Sequence, residues 1–170
     1  GLRKLAAAVD ELIICSSCSK NFGLYRERTG AAIVIGKNSE HVGNAKGKLL
    51  TLARSTYTMP PDHGAALVAD ILTSSVLTAV WKQELIMMQQ RIIGLRQNLV
   101  QTLAAKGCDQ FSFIADHKGM FSMTGLSPAK IMRLRDEFAI YAVGDGRINV
   151  AGLQEQQIDA LATALMTVSQ

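Results

Sequence analysis

Between residues 75 and 106 apolar side chains return at steps of three and four: Leu77, Val80, Trp81, Leu85, Met88, Ile92, Leu95, Leu99 and Leu103. That spacing lines one face of a helix. No proline and a single glycine, Gly94, interrupt it, and Gly107 supplies the stop. A helix of about nine turns is long for one compact domain. It predicts a connection between two lobes.

Upstream the pattern differs. Residues 2–9 place Leu2, Leu5, Ala6 and Val9 on one helical face. Two short apolar runs follow, Glu11-Leu12-Ile13-Ile14-Cys15 and Ala31-Ala32-Ile33-Val34-Ile35, the second closed by Gly36. Such runs read as strands buried on both faces, with Cys15 among the core residues and 16–23 as a loop. A helix is predicted over 42–57. Thr58-Met59-Pro60-Pro61 ends it, because two prolines remove backbone donors. A further helix covers 64–72.

Downstream of residue 106 the chain reads as a small α/β unit. Strands are predicted at 111–114, 120–123, 140–143 and 147–150. Ser127-Pro128 starts a helix in the N-cap/N1 arrangement, running to Phe138. A closing helix over 153–168 has Leu153, Ile158, Leu161, Leu165 and Val168 on its apolar side. The fold class is therefore α/β. Two strands buried on both faces need neighbours and covering helices, and a two-stranded sheet is marginal alone. The first sixty residues are thus expected to be a piece of a larger protein, or to dock onto one.

Composition narrows the class. In 170 residues, 48% are apolar and 19% charged, which excludes disordered and low-complexity chains. The net charge of +4 comes from scattered residues and reads as a solvated surface rather than a nucleic-acid footprint. The most apolar window, 65–80, contains Asp70 and several hydroxyls and falls short of a membrane span. The first ten residues lack the apolar stretch of a secretory leader. Three cysteines do not make a disulfide framework. A cytoplasmic protein is expected.

Several short motifs bear on chemistry. Cys15-x-x-Cys18 follows a strand and admits a thiol oxidoreductase, although Asn21-Phe22-Gly23 interrupts any helix there. Zinc would need two more ligands, and Cys108, His41, His63 and His117 show no paired spacing; no metal site is expected. Ser17-x-x-Lys20 matches part of a serine acyl-transferase signature without its companion motifs. Gly43-x-x-x-Gly47-Lys48 is one residue short of a phosphate-binding loop.

A richer constellation occupies residues 16–31, SSCSKNFGLYRERTGA. It puts Lys20 among hydroxyls at the end of a strand, with Arg28 eight residues on. An amine partly withdrawn from water loses its proton more readily and attacks carbonyls to form a Schiff base. Serine hydroxyls and a guanidinium suit a phosphate. An aldehyde cofactor carrying a phosphate would use all three, and a solvated Ser/Lys loop explains the same residues.

That segment resembles the pyridoxal-phosphate lysine segment of class I aminotransferases, the bacterial aspartate and aromatic amino acid enzymes. The similarity continues in register through Arg54-x-x-Tyr57-x-x-Pro60-Pro61-x-His63-Gly64-Ala65, Gly119-Met120-Phe121-Ser122 and Gly146-Arg147-Ile148-Asn149-Val150-Ala151-Gly152. It covers essentially the whole chain but only the C-terminal part of the family's length. It implies that residues 1–74 end a large cofactor-binding domain, 75–106 form a connecting helix and 107–170 a small α/β domain.

The resemblance implies that Lys20 is the catalytic Schiff-base lysine and proton shuttle. It gives Ser17, Ser19 and Arg28 the cofactor phosphate, and Arg147 the substrate α-carboxylate. Arg54 reaches across a homodimer to the side-chain carboxylate of a dicarboxylic substrate, and Tyr57 and Phe121 line the neighbourhood. The implied activity is transfer of an amino group between an amino acid and a 2-oxo acid such as 2-oxoglutarate, with pyridoxal 5'-phosphate. Cys18, Arg26 and Thr56 depart from the aspartate-type pattern and lean toward an aromatic or broad substrate range. The family's Asp against the pyridine nitrogen and its Gly/Ser/Thr phosphate loop fall outside the matched part. This chain alone is therefore expected to be inactive. The alternatives are a non-catalytic interaction domain and the Cys15/Cys18 oxidoreductase.

Overall fold

In a computed structural model that describes residues 1–170, side-chain caps open some of the helices and not others. α1 is Leu2–Ala6, shorter than the pattern suggested. β1 is Leu12–Ser17 and β2 is Gly30–Ile35. α2, Ser39–Thr56, begins where the Asn38 side chain accepts from the His41 N–H at 2.9 Å, satisfying one orphan donor of the first turn. α3 is His63–Thr73 and α4 is Ser75–Ala105. β3 is Phe121–Met123, α5 Pro128–Phe138, β4 Arg147–Asn149 and α6 Ile158–Ser169.

The chain divides into two compact units, Gly1–Gln83 and Glu84–Gln170, and the division falls inside α4. In the first unit β1 and β2 pair antiparallel, with Cys15 opposite Ala32 and Ser17 opposite Gly30. The expectation of strands buried on both faces is corrected here. Neither strand holds a fully buried side chain; Ile13 is 67% and Ile33 48% exposed. Cys15, expected in a core, is exposed too. A continuous apolar run signals desolvating surface without saying what covers it.

The second unit contains the core. Leu95, Leu99 and Leu103 of α4 pack with Ile131 and Leu134 of α5 and with Leu161, Leu165 and Val168 of α6. Ser127 caps α5 by accepting from the Lys130 N–H, with Pro128 at the first helical position. β3 and β4 pair antiparallel, Phe121 opposite Asn149 and Met123 opposite Arg147.

Three predicted elements are corrected in this unit. Residues 111–114 form no strand: Phe111 leads into a 3-10 turn, Ser112–Asp116. At three residues per turn, Phe111 and Ile114 point into the core together while Phe113 stays outside. Residues 140–143 form no strand either. Ala139 ends α5 in the left-handed conformation, and the N–H groups of Ala139 and Ile140 close back on Arg135 and Leu134. The closing helix starts at Ile158, after a turn in which the Gln154 N–H donates to Gln157 Oε1 at 3.1 Å. No single helix is long and apolar enough to cross a membrane.

Candidate active site

Lys20 lies in the turns that follow β1. The ladder continues one step beyond the strand, the Cys18 N–H donating to the Thr29 carbonyl at 3.0 Å. Ser17 Oγ donates to Ser19 Oγ at 3.0 Å and accepts from the Ser19 N–H at 3.2 Å. Ser19 is only 5% exposed, one of the few buried residues of the first unit. The chain then turns, with Gly23 at φ 68° and its N–H donating to the Lys20 carbonyl at 3.2 Å. Lys20 itself is exposed, which corrects the expectation of a lysine withdrawn from water. Its Nζ lies 5.3 Å from the centroid of the Tyr25 ring, a cation–π distance.

Arg28 returns to the same place. Its Nη1 donates to the Tyr25 carbonyl at 2.9 Å, and its backbone sits at φ 51°, a left-handed conformation unfavourable for a side-chain-bearing residue. The residues on either side of it are held by the start of α3. His63 Nδ1 and Glu27 Oε2 are 3.1 Å apart. A Cβ on Gly64 would meet Thr29 Oγ1 at 2.0 Å and Glu27 Cβ at 2.7 Å. Only glycine allows that approach. Ser17, Ser19, Lys20 and Arg28 are thus gathered on one short stretch, and Tyr25 touches both cations.

Arg54 and Tyr57 lie apart from these contacts, at the end of α2. Both are exposed and line an open hollow with Leu50, Met59 and Pro60.

Arg147 and Phe121 belong to the second unit. Arg147 opens β4 after the turn at Gly146, where φ is 84° and a Cβ would press on Thr124 and Leu126. Its guanidinium carbon lies 5.4 Å from the Phe121 ring centroid, and its Nη2 is 3.9 Å from Asp145 Oδ2. Both side chains reach solvent. Arg147 also edges an apolar hollow of about 580 Å3 lined by Ile140, Tyr141, Val143 and Leu153.

Arg96 lies outside every motif of the sequence. It is 2% exposed, bonded to Ser122, Gly119 and Phe121, and loss of hydration pushes its pKa down. A signal was present: Ile92, Arg96, Leu99 and Leu103 follow helical spacing, so a cation occupies a core slot. Gly64 gave no comparable signal, because the residues it accommodates are distant in sequence.

Comparison with known proteins finds one family model, aminotransferase class I and II, matching residues 2–165. The aspartate aminotransferase of Escherichia coli strain K12 is 47% identical over 169 residues, 99% of this chain and 43% of that protein. The aromatic-amino-acid aminotransferase of Pseudomonas aeruginosa is 46% identical over 168 residues, 98% of this chain and 42% of its own length. The crystal structure of an aromatic-amino-acid aminotransferase from Burkholderia pseudomallei, covalently bound to pyridoxal phosphate, superposes with a TM-score of 0.88 at 43% identity, covering 99% of this chain and 43% of that one. The chain thus spans a little over two fifths of the relatives it matches.

Proposed function

The chain belongs to the class I and II aminotransferase family, and from that premise we propose that it is the Lys20-bearing part of a pyridoxal-phosphate enzyme. That enzyme moves an amino group between an aromatic or dicarboxylic amino acid and a 2-oxo acid such as 2-oxoglutarate. The observation that carries this reading is the gathering of two hydroxyls, an amine and a guanidinium around one turn. These residues fit the cofactor: Ser17 and Ser19 offer hydroxyls, Arg28 a guanidinium, and Lys20 an amine that forms no ion pair with a carboxylate. Pyridoxal phosphate supplies an aldehyde that condenses with amines and a ring that withdraws electrons from the amino-acid Cα.

In this reading Ser17, Ser19 and Arg28 hold the phosphate through charge-assisted hydrogen bonds. With the cofactor bound, the Lys20 amine would take a proton from the substrate Cα and deliver it to the cofactor C4′. Arg147 grips the α-carboxylate with its planar fork, the guanidinium carbon 5.4 Å from the Phe121 ring centroid. Arg54 pairs with the second carboxylate of a dicarboxylic substrate, acting in the partner's site of a homodimer. Residues 1–74 end the large cofactor-binding domain, 75–106 connect, and 107–170 form the small domain. The intact enzyme is cytoplasmic, and this chain alone is inactive. Relatives named for aspartate and for aromatic amino acids match almost equally well, which supports the broad substrate range.

Borohydride trapping with pyridoxal phosphate, followed by peptide mapping, tests the reading on this chain and on the longest product of its gene. One stoichiometric adduct on Lys20 in the longer product is expected. Labelling spread over surface lysines in both would refute it and favour a non-catalytic interaction domain. A thiol oxidoreductase would instead lose disulfide exchange in Cys15→Ser and be indifferent to Lys20→Ala.

A further inference from the structure

Arg96 poses a physical problem. Its guanidinium is buried in the core of the second unit, and no carboxylate accompanies it. Burying an unpaired charge is costly. Its neighbours on the same helical face, Ile92, Leu99 and Leu103, are apolar, so leucine or methionine would suit the packing of α4 better. The reason for an arginine lies in what it holds.

It holds one edge of one strand. Nε donates to Ser122 Oγ at 3.1 Å, and Nη2 donates to the carbonyls of Gly119 and Phe121 at 2.5 and 3.0 Å. In an antiparallel ladder alternate residues face the partner strand. The Met120 carbonyl faces β4's end of the chain, accepting from the Val150 N–H at 2.9 Å. Gly119 and Phe121 therefore present their carbonyls to the opposite edge, where β3 has no strand beside it. The planar fork of Arg96 meets these acceptors together, a geometry that a lysine ammonium does not reproduce. β3 carries Phe121, whose ring faces Arg147 at 5.4 Å, and Met123, directly opposite Arg147 in the ladder.

We propose that Arg96 is a positioning residue for the carboxylate-binding pair Arg147 and Phe121: it stands in for a third strand on the free edge of β3 and so fixes the strand from which Phe121 meets the Arg147 guanidinium. The positioning rests on the geometry above; its use in binding rests on the assignment of Arg147 to the substrate carboxylate. Arg96 touches no substrate. It sets the strand, the strand sets the ring, and the ring limits where the guanidinium fork points.

The test uses the 170-residue chain, isotopically labelled, with 3-phenylpropionate as the carboxylate probe. Wild type is compared with Arg96→Lys, Ser122→Ala and Arg147→Ala by nuclear magnetic resonance. Arg96→Lys is expected to keep the methyl signals of Leu99 and Leu165, to move the Arg147 side-chain signals that sense the Phe121 ring current, and to weaken the probe at least about threefold. Ser122→Ala acts in the same direction with a smaller amplitude, and it remains informative if the buried lysine prevents folding. Arg147→Ala abolishes probe binding. The proposal is overturned if both variants leave the Arg147 signals and probe affinity at wild-type values, or if the core methyl signals move as much as those of Arg147. Should Arg147→Ala bind the probe normally, the carboxylate assignment fails, and the positioning claim stands or falls on the Arg147 signals in the other two variants.

Discussion

The Phe22 and Trp81 rings stack with centroids 4.5 Å apart and planes 12° from parallel, while the Trp81 indole N–H donates to the Asn21 carbonyl at 2.8 Å. The start of α4 thereby pins the turn that follows Lys20. Trp81→Phe keeps a ring but removes the donor, and is expected to destabilise the chain by about 1 kcal/mol. Trp81→Leu also loses the stack, adding about 1 kcal/mol. Denaturant unfolding followed by circular dichroism measures both. Equal stability of wild type and Trp81→Leu would show that the contact does not hold the turn.

Arg28 combines a side chain proposed to hold the cofactor phosphate with an unfavourable backbone, at φ 51°. Replacing it by glycine relieves a left-handed φ worth about 1 kcal/mol and deletes the guanidinium. Arg28→Gly is expected to match or exceed wild type in thermal stability, yet to release pyridoxal phosphate faster in the full-length protein. A thermal shift assay and cofactor dissociation after dilution give the two readouts. A variant that loses stability and keeps the cofactor would reverse the assignment.

Ala139 occupies the left-handed cap of α5 with no functional assignment. Here Ala139→Gly carries no counterweight. A gain of about 1 kcal/mol is expected, read as a higher denaturation midpoint with an unchanged slope.

On the surface of α5, Arg133 Nε and Nη2 donate to the two oxygens of Glu137 at 2.6 and 3.1 Å. These bonds hold the Glu137 carboxyl below its ordinary range. A depressed folded-state pKa adds stability above the unfolded-state value and loses it as pH falls through the folded one. The small gap in stability between wild type and Glu137→Gln should therefore be widest near neutrality and shrink at an acid pH below the ordinary carboxylate range. Added salt should shrink it as well, because both groups are exposed. Urea titrations at the two pH values, with and without salt, would reveal a gap that widens in acid if the sign is wrong.

What the sequence disclosed depended on how local the cause was. α5 was legible at both ends, because Ser127-Pro128 caps one and the chain turns immediately after Phe138. α4 was legible because its period persists over 31 residues. Residues 111–114 misled, since a 3-10 period and a strand period cannot be separated over four residues. The burial of β1 and β2 misled for another reason: an unbroken apolar run does not specify the layer that covers it. The site divides along the same line. Ser17, Ser19, Lys20 and Arg28 lie within one contiguous segment and were read together. Arg96 and Gly64 act on residues far along the chain, so their significance appears only once the backbone brings those residues close.

The exposed aliphatic side chains of Ile13 and Ile33 have a consequence for the isolated chain. Chaperones and proteases recognise uncovered apolar surface and continuously sort chains by how much of it they show. A ribbon that displays isoleucines with open strand edges invites that surveillance and self-association as well. Polar substitutions at both positions are therefore expected to reduce self-association of the isolated 170-residue chain, read by sedimentation velocity.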